Sequence, residues 1–148
     1  MSIAKGELSP ALQQAKEMLS REGYTFCALK EGELRSSRER GVKPLLSLLD
    51  EGKRLEGFAA ADKVVGRAAA FLYALLGADE VFAGTVSTPA LEVFRSFGLP
   101  ICFEREVEFI MNRTETGLCP MESSVLEISE PAEAERAIRA KLKMMKGE

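Results

Sequence analysis

The sequence predicts an α/β fold: a three-layer α/β/α sandwich around a mixed sheet, with an N-terminal β-hairpin at one edge. Three observations predict it. Short apolar runs of β character alternate with helical patterns through the middle of the chain, a spacing that pairs strands in parallel through right-handed crossovers. Helix starts carry a capping hydroxyl before a proline, and helix ends carry glycine. Near the N terminus two strand-like runs are separated only by Glu31-Gly32, which makes a tight turn and hence a hairpin.

Taken in order, Ser9-Pro10 opens a helix in which Ala11, Leu12, Ala15, Met18 and Leu19 recur at helical spacing, and Gly23 stops it. Tyr24–Leu29 and Glu33–Ser37 are the hairpin strands, followed by the polar loop Ser36–Gly41. Pro44–Glu51 reads as a short helix ended by Gly52, and Leu55–Ala61 as extended chain or an edge strand. Lys63–Leu76 is expected to be a buried helix, with Val64, Val65, Ala68, Leu72, Leu75 and Leu76 inward and Gly77 as its stop. Glu80–Val86 suits a central strand and Ala90–Phe97 a helix behind Thr88-Pro89. Leu99–Glu104 is another buried strand, whereas Val107–Met111 is apolar without declaring its state. Asn112–Gly117 is a polar loop. Cys119-Pro120 starts a short helix to about Ile128, and Glu130-Pro131 opens the last helix, to about Met145. The 148 residues fit one domain, with a core from about residue 10 to 128 and a C-terminal helix from about 131 to 145.

Bulk properties exclude several classes of function. The net charge is −3, and the basic runs Arg35–Arg40 and Arg136–Lys146 are interleaved with acids, so neither a nucleic-acid footprint nor a nucleic-acid partner is expected. The longest apolar stretch, Ala68–Leu76, is too short to cross a bilayer, and Met1–Glu7 lacks the apolar core of a signal peptide. Three cysteines form no Cys-x-x-Cys pair and leave an odd number, which fits a reducing, cytoplasmic setting. The chain has no histidine, so Ser–His and Cys–His pairs are out, and three scattered cysteines cannot build a structural zinc site. No metal and no cofactor is expected, and no glycine-rich phosphate loop appears.

Chemistry in parallel α/β sheets gathers beyond the carboxyl ends of the strands, where helix N-termini point. Three segments are expected there. In the first, Asp62 caps the predicted long helix and Lys63 is either solvated or an anion-binding group or base. In the second, Ser87 and Thr88 cap the next helix and leave N–H groups that can hold an anion. The third holds Asn112, Arg113 and Thr116 as candidate ligand-binding residues, then Cys119 and Glu122. Cysteine is a poor cap, so Cys119 before a helical proline is either an inert core thiol or a thiol activated by the helix end. Glu122 either reaches back as in a capping box or serves as acid or base beside the thiol. Cys27 and Cys102 sit in apolar strands and read as core.

Lys43-Pro44-Leu45-Leu46-Ser47-Leu48-Leu49, Ala61-Asp62-Lys63-Val64-Val65-Gly66-Arg67-Ala68-Ala69-Ala70 and Thr116-Gly117-Leu118-Cys119-Pro120-Met121-Glu122 resemble, in this order, the signature blocks of domain-of-unknown-function family 1893. The resemblance spans about Tyr24 to Leu142. It implies a prokaryotic protein with a cytidine deaminase-like fold and no established activity. Zinc deaminases open one helix with a His-Ala-Glu motif and the next with Pro-Cys-x-x-Cys. Here the matching helices are expected to open with Ala61-Asp62-Lys63 and with Pro89-Ala90-Leu91-Glu92-Val93, so the ligand cysteines would be replaced by Ala90 and Val93. The resemblance thus implies a deaminase-type pocket without zinc. Two functions follow as expectations. One is a metal-independent enzyme or binder of a nucleoside- or nucleotide-like small molecule, with Cys119, Glu122, Asp62 and Lys63 as its chemical groups. The other is a non-catalytic interaction or ligand-sensing module. Proteins of this fold often pair or form tetramers, so a homo-oligomer is also an expectation, although the sequence names no interface.

Overall fold

Six strands form one sheet in the computed structural model, which describes residues 3–4, 8–111 and 117–147. The elements in chain order are β1 (Ile3–Ala4), α1 (Pro10–Glu22), β2 (Phe26–Lys30), β3 (Glu33–Ser37), α2 (Lys43–Asp50), β4 (Ala59–Val65), α3 (Arg67–Leu76), β5 (Glu80–Ser87), α4 (Thr88–Ser96), β6 (Ile101–Val107), α5 (Pro120–Ser124) and α6 (Pro131–Gly147). The strand order is β1-β6-β5-β4-β2-β3. β4, β5, β6 and β1 run parallel, and the β2–β3 hairpin is antiparallel at one edge. This is the mixed three-layer architecture that the alternation of elements predicts.

The start of the first helix follows its sequence signal. Ser9 Oγ accepts a hydrogen bond from Leu12 N at 3.1 Å and donates one to Glu80 Oε2 at 2.7 Å, so the cap also ties α1 to β5. Leu12, Ala15 and Leu19 then pack on Cys27, Ala59, Ala61 and Phe82, the only helix-covered core on that face of the sheet among the described residues. The opposite face holds the larger core, built from α2, α3, α4 and α6 against Phe26, Ala60, Val81 and Ala83.

One boundary differs from expectation, and it relocates the site. The predicted helix start at Lys63 is strand: β4 runs through Ala59–Val65 and α3 begins only at Arg67. Val64 and Val65 fit the helical spacing of Ala68 and Leu72, but β-branched residues suit strands, and pairing of Val64 with Thr85 and of Val65 with Val86 in β5 carries the strand past the expected helix start. Asp62 is therefore no helix cap. It is paired with Phe26 on one side and Ala83 on the other.

The pleat also breaks within the sheet. Ala60 and Val65 lie in the same core, as do Val81 and Val86, although each pair is an odd number of residues apart. The break falls at Lys63 and Gly84, where a Cβ on Gly84 would sit 2.8 Å from the Lys63 carbonyl oxygen. Glycine is what permits this close approach.

Smaller differences follow. β6 extends past Glu104 to Val107, α5 stops at Ser124 rather than near Ile128, and α6 reaches Gly147. The two-residue β1 has no counterpart in the sequence reading.

Candidate functional site

Beyond the carboxyl ends of β4 and β5, α3 and α4 open, and α5 packs beside α3. Each helix start has a polar group on it. Gly66, at the N-cap of α3, has no side chain to offer. The cap comes instead from a distant element. Arg67 N donates to Glu122 Oε1 at 2.6 Å, and Ile110 N lies 3.5 Å from Oε2. Glu122 is only 1% exposed, so this carboxylate is committed to protein donors. The fit is close: a Cβ on Gly66 would come within 2.6 Å of Glu122 Oε1. At α4, Ser87 is the cap, one residue before the Thr88-Pro89 signal, and its buried Oγ accepts from Ala90 N at 3.2 Å. Thr88 turns to β6, where its Oγ1 lies 2.7 Å from Glu106 Oε2 and 3.3 Å from the Val107 carbonyl.

Arg67 bridges the start of α3 to α4 and to the segment that closes α5. Nε donates to Val125 O at 2.9 Å, Nη1 to Pro89 O at 2.9 Å and to Glu92 Oε1 at 3.1 Å, and Nη2 to Ile128 O at 2.7 Å. The guanidinium also sits 5.3 Å from the Phe71 ring centroid. A buried charge of this kind is tolerable only when its donors are satisfied, and here one acid and three backbone carbonyls satisfy them. Val125 O, at the end of α5, also accepts from Ile128 N at 3.1 Å, and Ile128 O belongs to the turn that follows. Arg67 therefore joins α3, α4 and the C-terminal segment at one point.

Asp62 stands apart. Tyr73 Oη donates to its Oδ2 at 2.7 Å, from the second half of α3. Burial pushes the Asp62 carboxyl up to about 7, against the opposing pull of the Tyr73 hydroxyl and backbone N–H groups. Burial and the neighbouring carboxylate raise the Tyr73 phenol as well. Gly66 lies four residue steps beyond Asp62 along the strand, roughly 13 Å at about 3.3 Å per step. Asp62 and Glu122 thus have separate partners.

The other expected residues are placed as follows. Lys63 is exposed in β4, with its backbone N bonded to Thr25 O at 3.1 Å, so it stands on a strand rather than at a helix start. Cys119 is half-buried at the N-cap of α5, packs on the main core, and its backbone N donates to Ile110 O at 2.9 Å. Glu122 does not reach back to Cys119 as a capping box would; it crosses to α3. Asn112, Arg113 and Thr116 lie outside the described residues. Cys27 is core, donating to Ala15 O at 3.3 Å, with its thiol pushed up to about 11 by burial and then by Asp62. Among the described residues no three cysteine, aspartate or glutamate side chains are grouped so as to hold a metal ion.

Sequence reasoning missed Arg67 and Tyr73. The signal for Arg67 was present: a single cation heading the run Ala68-Ala69-Ala70-Phe71-Leu72 has no solvent to face and must find acceptors.

Three comparisons bear on this architecture. A family model described as a domain of unknown function, DUF1893, matches residues 14–142. The crystal structure of a DUF1893 family protein from Thermotoga maritima is similar over 97% of this chain and 97% of its own, with a TM-score of 0.81 and 26% identity. No curated protein matches.

Proposed function

The chain belongs to the DUF1893 family, and from that premise we propose that it is a non-catalytic interaction module on a cytidine deaminase-like scaffold. The sheet supports the scaffold: β4, β5 and β6 run parallel through α3 and α4, with an antiparallel hairpin beside β4. A zinc deaminase uses the starts of two such helices to hold its metal. With α3 beginning at Arg67, the comparison falls on Gly66-Arg67-Ala68 rather than on Ala61-Asp62-Lys63.

One observation carries the reading: where the two helices open, the Arg67 guanidinium is bonded to four protein acceptors, from α4 and from the segment that closes α5. A guanidinium has five donors and no acceptor, and it keeps its proton throughout the accessible pH range. It can neither ligate a metal nor act as a base. It supplies a fixed positive charge that needs no metal, and its bonds spend that charge on the fold. Glu122 caps α3 and is thereby withdrawn from acid–base work, and the Ser87 hydroxyl is withdrawn in the same way.

Thermal denaturation against nucleosides, nucleotides and free bases tests this. The expected result is no saturable rise in Tm. A rise of several degrees that saturates with one compound would establish a ligand site, because a ligand that binds only the folded state stabilises it by mass action. Stoichiometric zinc in the purified protein, measured by emission spectroscopy, would overturn the reading from the other side.

A further inference from the structure

The outer edge of β3 has no strand beside it among the described residues. Among the described residues β3 pairs only with β2, and it closes one end of the sheet. Proteins usually blunt such an edge with proline, with outward lysines, with bulges, or by covering it. Glu33–Ser37 contains neither proline nor lysine. Its arginine does not guard the edge. Arg35 Nη1 donates to Arg54 O at 3.0 Å, Nη2 to Glu33 Oε2 at 3.0 Å, and its guanidinium lies 4.6 Å from the Phe58 ring centroid. The side chain is held down along the α2 face of the sheet. Leu34, by contrast, is 42% exposed. It pairs with Leu29, which packs on the α1-side core, so the two leucines form one apolar strip at this edge.

We propose that β3 is a self-association edge, where two copies of this chain join antiparallel about a two-fold axis at Leu34 to form one continuous sheet. The occupant follows from charge and register. In this register Leu34 meets Leu34, and each Glu33 lies opposite Arg35 of the other copy. A register centred one residue later sets Arg35 against Arg35, and like charges directly opposite destabilise a strand pair. A two-fold contact presents the same patch from both subunits, so the pattern Glu-Leu-Arg is complementary to itself. Between β3 and α2 lies a groove of about 320 Å³, lined in part by Arg35, Ser37, Leu48 and Lys53, beside the new strand. The contact is short, so the association is weak and depends on concentration.

This proposal names a partner for the module proposed above and rests on that reading. Sedimentation velocity on the full chain, from about 10 μM to about 1 mM, is expected to show a monomer–dimer equilibrium. Glu33→Arg and Arg35→Glu are each expected to weaken the dimer about tenfold or more, by placing like charges opposite each other. An equimolar mixture of the two variants restores opposite charges and is expected to dimerise again. Leu34→Lys, at an exposed position, is expected to be monomeric with an unchanged circular dichroism spectrum. A wild-type chain that stays monomeric, a dimer indifferent to these substitutions, or a mixture that fails to recover overturns the edge. The two readings fail separately. A ligand-dependent Tm rise removes the non-catalytic assignment and leaves the dimer data standing, whereas a monomeric chain leaves the Arg67 observation standing.

Discussion

A carboxyl group that titrates near neutrality inside a sheet makes stability depend on pH, and Asp62 is that group. Its folded pKa of about 7 lies above the ordinary 3.8, so the folded protein holds the proton more tightly than the unfolded chain does. The stabilisation is full below pH 4 and is lost as pH rises through 7. Asp62→Asn, which removes the titration, is expected to flatten the Tm against pH profile between pH 5 and 8. It should leave the variant more stable than wild type at pH 8 by on the order of 2–4 kcal/mol. A wild-type profile just as flat would refute the burial argument. Gly66 sets a second test at this scale. Gly66→Ala brings a Cβ to 2.6 Å from Glu122 Oε1, and overpacking of that kind costs about 1–3 kcal/mol even though alanine suits the backbone there. Glu122→Ala instead leaves Arg67 N without its acceptor and should cost about 1–2 kcal/mol by chemical denaturation.

Elements with local instructions were legible and elements with remote ones were not. α1 opens at Ser9-Pro10 and β3 spans Glu33–Ser37 as read, because caps, turns and alternation act within a few residues. The β4–α3 boundary was hidden. Nothing local distinguishes a Val64-Val65 pair that ends a strand from one that opens an apolar helix face, and the deciding contacts come from β5. The candidate site was legible in part for the same reason. The importance of Glu122 showed in its spacing from Cys119, but the capping-box pattern pointed it to its own helix, whereas its partner is 55 residues away. Asp62 drew attention as a cap and is instead the acceptor for Tyr73. A Tyr73→Phe variant tests that link: without the hydroxyl donor the carboxyl should titrate still higher, moving the fall in stability to higher pH.

At the scale of the molecule, the two faces of the sheet are covered unequally, with α1 on one and α2, α3, α4 and α6 on the other. The thinly covered side carries the apolar strip of Leu29 and Leu34 to the edge, and so sheet packing and the proposed assembly would share a surface. The thicker side has its own weak point. α6 follows a short α5, and it docks through Ala134 and Ile138, with Ala137 and Leu142 partly buried beside them and Arg139 Nη2 2.9 Å from Asp50 Oδ1 of α2. A helix at the margin of a core is expected to open before the rest of a protein where its tertiary contacts are few. The Arg67 bonds to Val125 O and Ile128 O span 58 and 61 residues of chain and oppose that. They should make α5 and α6 unfold with the sheet rather than ahead of it. Amide exchange should then show the protected amides of α6 and α3 opening with the same free energy. In Arg67→Ala, about 3–5 kcal/mol less stable overall, the α6 amides should exchange through a separate, lower-energy opening. An arginine that blocks one kind of chemistry would then be what makes the chain a single cooperative unit.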